Sequence, residues 1–187
     1  MMKNNDSPQN TNIGSGKYTP DIQQIDLSTS HGIIINQIVP GSIVLECGSA
    51  AGYMTKWMKE KLGCHVSIIE IDKQCYDEAR IYADNGFCGD LQGKEWFEYY
   101  SDMKFDYILF ADVLEHLSNP QEVLSRAVKL LKNNGKVIIS IPNIAHNDIV
   151  VKLWNNHFDY TDTGLLDNTH VHFWAKNNIK VGSISTE

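Results

Sequence analysis

The sequence has no CxxC pair, no GxGxxG loop and no apolar run near the ~20 residues that a membrane span needs. Its four cysteines, Cys47, Cys64, Cys75 and Cys88, stand singly. That spacing excludes a zinc ribbon or a redox pair and predicts free thiols in a reducing, cytoplasmic setting. Basic residues are scarce: 16 Lys and Arg face 23 Asp and Glu, for a net charge of −7. Such a chain is not steered towards a phosphate backbone, which argues against nucleic acid as a partner. No His, Cys and acid cluster has metal-ligand spacing, so no metal is expected. Met1 to Asn12 is polar and does not read as a signal segment. There is no internal repeat and no signal for oligomeric state.

What is present is ordinary for a globular protein: 187 residues, 42% hydrophobic and 21% charged. Residues 1–20 are rich in Asn, Asp, Ser, Pro and Gly and predict a flexible segment; 21–187 predict a single domain. Hydroxyls at 28–30 precede Ile34, Ile35 and Ile38 at helical spacing, stopped by Pro40-Gly41. Strands and helices then alternate. SIVLEC (42–47), HVSIIE (65–70), the weaker Phe87-Cys88, FDYILF (105–110) and KVIISI (136–141) read as strands. Residues 53–62, 73–85, 96–101, 120–131 and 147–154 read as helices, while 155–187 show no clear period. Near-continuous apolar strands alternating with helices predict an α/β fold: a Rossmann-like, doubly wound, mostly parallel sheet.

In such sheets ligands sit beyond the carboxyl ends of the strands. The first strand ends in Glu46-Cys47-Gly48-Ser49-Ala50-Ala51-Gly52. Small residues permit close backbone approach, and helix-start N–H groups favour a negative ligand group. Glu46, however, would repel a pyrophosphate and suits a ligand carrying positive charge. The second strand ends in Glu70-Ile71-Asp72, an acid placed to accept ribose hydroxyls. The third ends in Gly89-Asp90-Leu91, and the fourth in Ala111-Asp112-Val113-Leu114-Glu115-His116. Singly, each acid reads as a solvated cap; four strand ends in succession make a pattern.

VLECGSAAGYMT, SIIEID, GDL and FDYILFADVLEHLSNPQEVLSRAVKLLKNNGKVIISIPN, in this order, resemble a class I S-adenosylmethionine-dependent methyltransferase over residues 42–143. PNIAH (142–146), FDY (158–160) and GLLDNTH (164–170) are similar to a bacterial branch that accompanies glycosyltransferases in surface-polysaccharide clusters. The resemblance implies S-adenosyl-L-methionine as cofactor and a small-molecule acceptor, such as a sugar or sugar-linked intermediate. It implies that Glu46, Gly48, Ser49, Ala50 and Gly52 meet the methionine end. Glu70 would take the ribose, Ile71 wall the adenine slot, Asp90 and Leu91 contact adenine, and Ala111 and Asp112 line the transfer site. Three departures stand out. Ala50 replaces the commoner glycine, His172 stands where the branch usually has arginine, and the C-terminal KVGSISTE is shorter than the strand pair that completes the family's sheet.

Histidine titrates nearest neutrality, so His116 and His170, with His146 behind them, are the candidate bases for an acceptor hydroxyl or ammonium. The tail aromatics Trp154, Phe158, Tyr160, Phe173 and Trp174 suit stacking on an acceptor, and equally plain core. Two other readings remain: a cofactor-binding scaffold without turnover, and an NAD-dependent oxidoreductase, against which Glu46 and the missing GxGxxG count.

Overall fold

The computed structural model describes Asp26 and residues 28–179. The expected flexible segment at 1–20 and the short C-terminal stretch 180–187 lie outside the described residues. The apolar segments form β1 (Ile43–Cys47), β2 (His65–Glu70), β3 (Asn85–Cys88), β4 (Phe105–Ala111) and β5 (Leu131–Ser140). All pair in parallel, in the order β3-β2-β1-β4-β5. The order reverses between β1 and β4, where Cys47 is level with both Ile69 and Phe110. A cleft opens at such a reversal, because the connections leave to opposite faces. The expected doubly wound sheet is therefore present.

Helices cover both faces, as parallel strands require. On one face α1 (Ser30–Ile35), α2 (Tyr53–Leu62) and α3 (Lys73–Ala79) bury Ile34, Ile35, Met54, Met58 and Ala79 against Val44, Val66, Ile68 and Leu109. On the other, α4 (Glu95–Tyr99) and α5 (Pro120–Val128) pack Trp96, Tyr100, Val123 and Ala127 on Leu45, Ile69, Ile108 and Phe110. Successive β1 residues Val44 and Leu45 thus feed opposite cores, the period-two alternation of a strand. Caps were legible in sequence: Thr29 Oγ1 accepts from Gly32 N–H at 3.1 Å, and Asp72 Oδ1 from Cys75 N–H at 2.9 Å. Pro120 starts α5 behind the Asn119 cap.

Several boundaries differ from the periodicity. The helix expected over 73–85 ends at Ala79. Arg80 Nη1 donates to the Ala83 carbonyl at 2.6 Å and closes a turn that brings Asp84 N–H to Val66 O at 2.7 Å. Strand β3 then starts at Asn85, two residues earlier than expected. The helix at 120–131 stops at Val128, because Leu131 already pairs with Phe105 in β5. The register then jumps from Phe105–Leu131 to Tyr107–Lys136, so Asn133-Asn134-Gly135 form a bulge inside β5 rather than a turn ahead of it. A Cβ on Gly135 would lie 2.8 Å from the Phe105 carbonyl, hence the glycine. The segment 155–179 follows α6 (Asn147–Trp154) mostly without regular structure, held by isolated bridges at Asn143–Trp174 and Thr161–Asp167.

Candidate active site

A cavity of about 910 Å³ opens over the carboxyl ends of the strands. Of the sequence-predicted positions, Glu46, Gly48, Ser49, Ala50, Glu70, Ile71, Asp90, Leu91, Ala111, Asp112, His116 and His170 all line it. Gly52 does not: it starts α2 with φ +80°, and a Cβ there would sit 2.5 Å from Ala79 Cα, so it serves close packing of α2 on α3. His146 also reaches the cavity, whereas Trp154, Phe158, Tyr160, Phe173 and Trp174 are not among the lining residues.

The loop after β1 is tied to β2. Gly48 and Ser49 N–H donate to Ile69 O at 2.8 and 3.3 Å, and Ala50 N–H donates to Glu70 Oε2 at 2.8 Å. These three N–H groups are spent on the neighbouring strand; the helix-start N–H groups expected to favour a negative ligand group are those of α2, which begins at Tyr53. Side chains add to them. The Ser49 hydroxyl is buried without a hydrogen-bond partner. Glu46 is 3% exposed and takes a 2.6 Å bond from Thr55 Oγ1. Burial, reinforced by Glu70, pushes its carboxyl up to about 8 despite that bond. A positively charged group beside this carboxyl would offset the cost of ionising it.

Glu70, nearly buried, also accepts from Asp72 N–H at 2.9 Å. Each of its oxygens has one protein partner and, with two lone pairs, room for a second. Ile71 is 65% exposed on the cavity lip, where it offers an apolar surface to a ligand. Leu91 is buried, and Asp90 Oδ1 accepts from Gln92 N–H at 2.8 Å.

At the far end Asp112 closes β4 in a left-handed conformation, φ +54°. Ser140 Oγ donates to Asp112 Oδ1, and His31 Nε2 lies 3.6 Å from Oδ2. Burial lowers the His31 imidazole, with Asp112 opposing. Beyond it the 3-10 turn Leu114–His116 presents Glu115 and His116. The Glu115 backbone carbonyl accepts from Val171 N–H at 2.8 Å and His172 N–H at 3.2 Å, which pins the 170s segment onto this turn. His172 Nε2 adds a contact to Ser118 O at 3.3 Å, so the position where arginine is usual is used for docking this segment. The pinning stacks His170 edge-on against His116, ring centroids 4.8 Å apart. Thr169 Oγ1 lies 3.0 Å from His116 Nδ1 and donates to Asp167 Oδ1 at 2.6 Å. Glu115 is 1% exposed, and neither carboxylate oxygen has a hydrogen-bond partner; burial pushes it up to about 8. Burial lowers the His116 imidazole, with His170 adding to the effect.

Sequence reasoning passed over His31, Glu115 and Ser140. Glu115 stands inside a quoted motif, but a helix-start acid reads as solvated until the docking of 170–172 encloses it. The metal-free expectation rested on spacing along the chain, and folding brings Glu115, His116 and His170 together.

A family model described as a methyltransferase domain matches residues 34–181. The chain belongs to this methyltransferase family. It is 26% identical over 105 residues to phosphoethanolamine N-methyltransferase 2 of Caenorhabditis elegans, covering 54% of this chain and 24% of that protein. It is 28% identical over 106 residues to the ubiquinone biosynthesis O-methyltransferase of Idiomarina loihiensis, covering 55% and 43%. The chain thus spans less than half the length of these curated relatives. The plantazolicin methyltransferase BpumL, solved in complex with SAH, superposes with a TM-score of 0.51 at 17% identity, over 69% of this chain and 48% of that one. This likeness shows the shared class I fold. Among the described residues, no helix is long and apolar enough to cross a membrane.

Proposed function

We propose that this protein transfers a methyl group from S-adenosylmethionine to a small-molecule acceptor. One observation carries the reading: acids from three successive strand ends, Glu46, Glu70 and Asp90, open onto one cavity at the reversal of strand order. Glu46 and the unpartnered Ser49 hydroxyl suit the ammonium and carboxylate of an amino-acid end. Glu70 suits a ribose diol, exposed Ile71 and Leu91 suit the faces of a base, and Asp90 its amino group. Ala111 and Asp112 then flank the transfer point.

When bound, the cofactor supplies a methyl carbon on a cationic sulfur; the acceptor lone pair forms the new bond and the C–S pair stays on sulfur. The leaving group is neutral, so the chain need not stabilise a developing anion. Its work is to align the acceptor, worth up to ~7–11 kcal/mol in ideal cases, and to free the acceptor lone pair of its proton. His116 and His170 stand at the acceptor end for that second task. Relatives named for N- and O-acceptors leave a hydroxyl and an amine both open. The motifs at 142–146, 158–160 and 164–170 favour a sugar or sugar-linked hydroxyl.

Mass spectrometry of small molecules released from the purified protein tests the reading. Co-purifying S-adenosylmethionine or its demethylated product is expected; NAD in their place would overturn it. Methyl incorporation into sugar hydroxyls over phenols and amines in an acceptor panel tests the finer assignment.

A further inference from the structure

The acceptor end holds more than two histidines. One ligand atom from each of Glu115, His116 and His170 lies within 4.8 Å of the other two. We propose that these three side chains bind a divalent transition-metal ion at the acceptor end of the cavity.

Four observations converge. First, Glu115 is 99% buried with both carboxylate oxygens lacking a hydrogen-bond partner. Ionising such a carboxylate is costly, and a coordinated cation offsets that cost in place of a proton. Second, Glu115 and His170 already face each other, with His170 Nε2 4.0 Å from Glu115 Oε1 and no hydrogen bond between them. Ligands held at about 2.1 Å around a tetrahedral ion are roughly 3.4 Å apart, so rotations that draw the atoms in by up to about 1.4 Å complete the site. Third, His116 is oriented from behind: its Nδ1 is in contact with Thr169 Oγ1, which is bonded to Asp167. Such outer bonds fix the ring of a metal-bound histidine. Fourth, the backbone bonds from Val171 and His172 to the Glu115 carbonyl hold the two sequence-distant halves together before any ion arrives.

Two imidazoles and one carboxylate suit zinc, iron, cobalt or manganese, rather than the all-oxygen shells of calcium or magnesium. Three protein ligands leave coordination positions open, and the cavity lies on the open side. This use of the site rests on the methyl-transfer reading. An acceptor hydroxyl taking an open position would lose its proton to solvent near neutral pH, as ion-bound water does, and keep the lone pair that attacks the methyl carbon. His116 and His170 would then act through the ion rather than as free bases.

The test uses full-length protein without a histidine tag, titrated with cobalt(II) and followed by visible absorption. One ion per chain is expected. Glu115→Gln and His170→Gln should each weaken binding by more than the ~10–100-fold that losing an outer-shell partner costs. The exposed pairs His146–Asp148 and His157–Asp159 are untouched by these variants. Bands that persist in either variant, or no saturable bands in the wild type, overturn the proposal. Should the variants not fold, proton NMR of the cobalt-loaded wild type decides: two shifted imidazole N–H resonances are expected, and fewer overturn it. Binding of S-adenosylhomocysteine, measured on the same wild-type protein, separates the two readings. Its loss refutes the cofactor assignment whatever cobalt does, and absent cobalt bands refute the metal site whatever the cofactor does.

Discussion

The Glu70 carboxylate accepts a hydrogen bond from Ala50 N–H at 2.8 Å, so the acid that ends β2 also fixes the loop that ends β1. Its other oxygen holds Asp72 N–H, the start of α3. Glu70→Ala therefore removes two internal anchors together with the proposed ribose contact. Cofactor affinity should fall roughly tenfold to a hundredfold, from charge-assisted bonds of about 1.5–3 kcal/mol. The melting temperature should fall too, because orphaned N–H groups cost about 1–3 kcal/mol each. Calorimetric titration and thermal melts check both; unchanged affinity would place the ribose elsewhere.

Glu46 gives a pH signature. Its carboxyl has an ordinary value of 4.5 and is pushed up to about 8 in the fold. The folded state keeps a proton that the unfolded chain releases, so this group's contribution to stability is full below about 4.5 and is lost as pH rises through about 8. A cationic ligand reverses the preference and expels the proton. S-adenosylhomocysteine should bind more tightly as pH rises from about 6 to 8, level off above, and release protons on binding below 8. Glu115 titrates in the same range, so the comparison is with Glu46→Gln, which should flatten the slope. An equal slope in wild type and variant contradicts the assignment of Glu46 to the ammonium.

Two glycines of one loop should fail differently. A Cβ at Gly48 would meet only the Val113 side chain, 2.6 Å away, whereas at Gly52 it would strike Ala79 Cα. Gly52→Ala should destabilise the fold by at least ~2 kcal/mol through overpacking and a left-handed φ. Gly48→Ala shares the left-handed cost, about 1–2 kcal/mol at φ +75°, but its contact is a side chain that can shift, so it should fold, displace Val113 and weaken cofactor binding. Denaturant titrations and binding assays on both variants read this out.

Ala50 adopts φ +45°, a conformation that costs a residue with a Cβ about 1–2 kcal/mol. Ala50→Gly should be neutral or stabilising by up to ~1 kcal/mol, since added chain entropy offsets part of the gain. A clear drop in melting temperature would contradict this.

The strands and the doubly wound parallel sheet were legible because β1, β2 and β4 are buried on both faces and so read as apolar runs. The loops bearing Glu46, Glu70 and Asp90 followed from strand ends alone. The left-handed φ at Ala50 gives a physical reason for the glycine more common there. The boundary at Ala79 was not legible, since the Arg80 turn depends on Val66 from another strand. Nor was the Asn133–Gly135 bulge, which depends on the Phe105 carbonyl. His170 was legible as a candidate base, but its meeting with Glu115 was hidden for the same reason: backbone bonds from Val171 and His172 make it, and these carry no periodicity. Local pattern reports local structure; contacts across the chain are where it ran out.

The central claim is that Glu46, Glu70 and Asp90 share one adenosine-binding cavity. Titrating purified protein with S-adenosylhomocysteine and separately with NAD in a calorimeter tests it most directly. One saturable site for S-adenosylhomocysteine, weakened by Glu70→Ala, with no comparable NAD binding, is the predicted result. Preference for NAD, or no binding of S-adenosylhomocysteine by the folded protein, would contradict it.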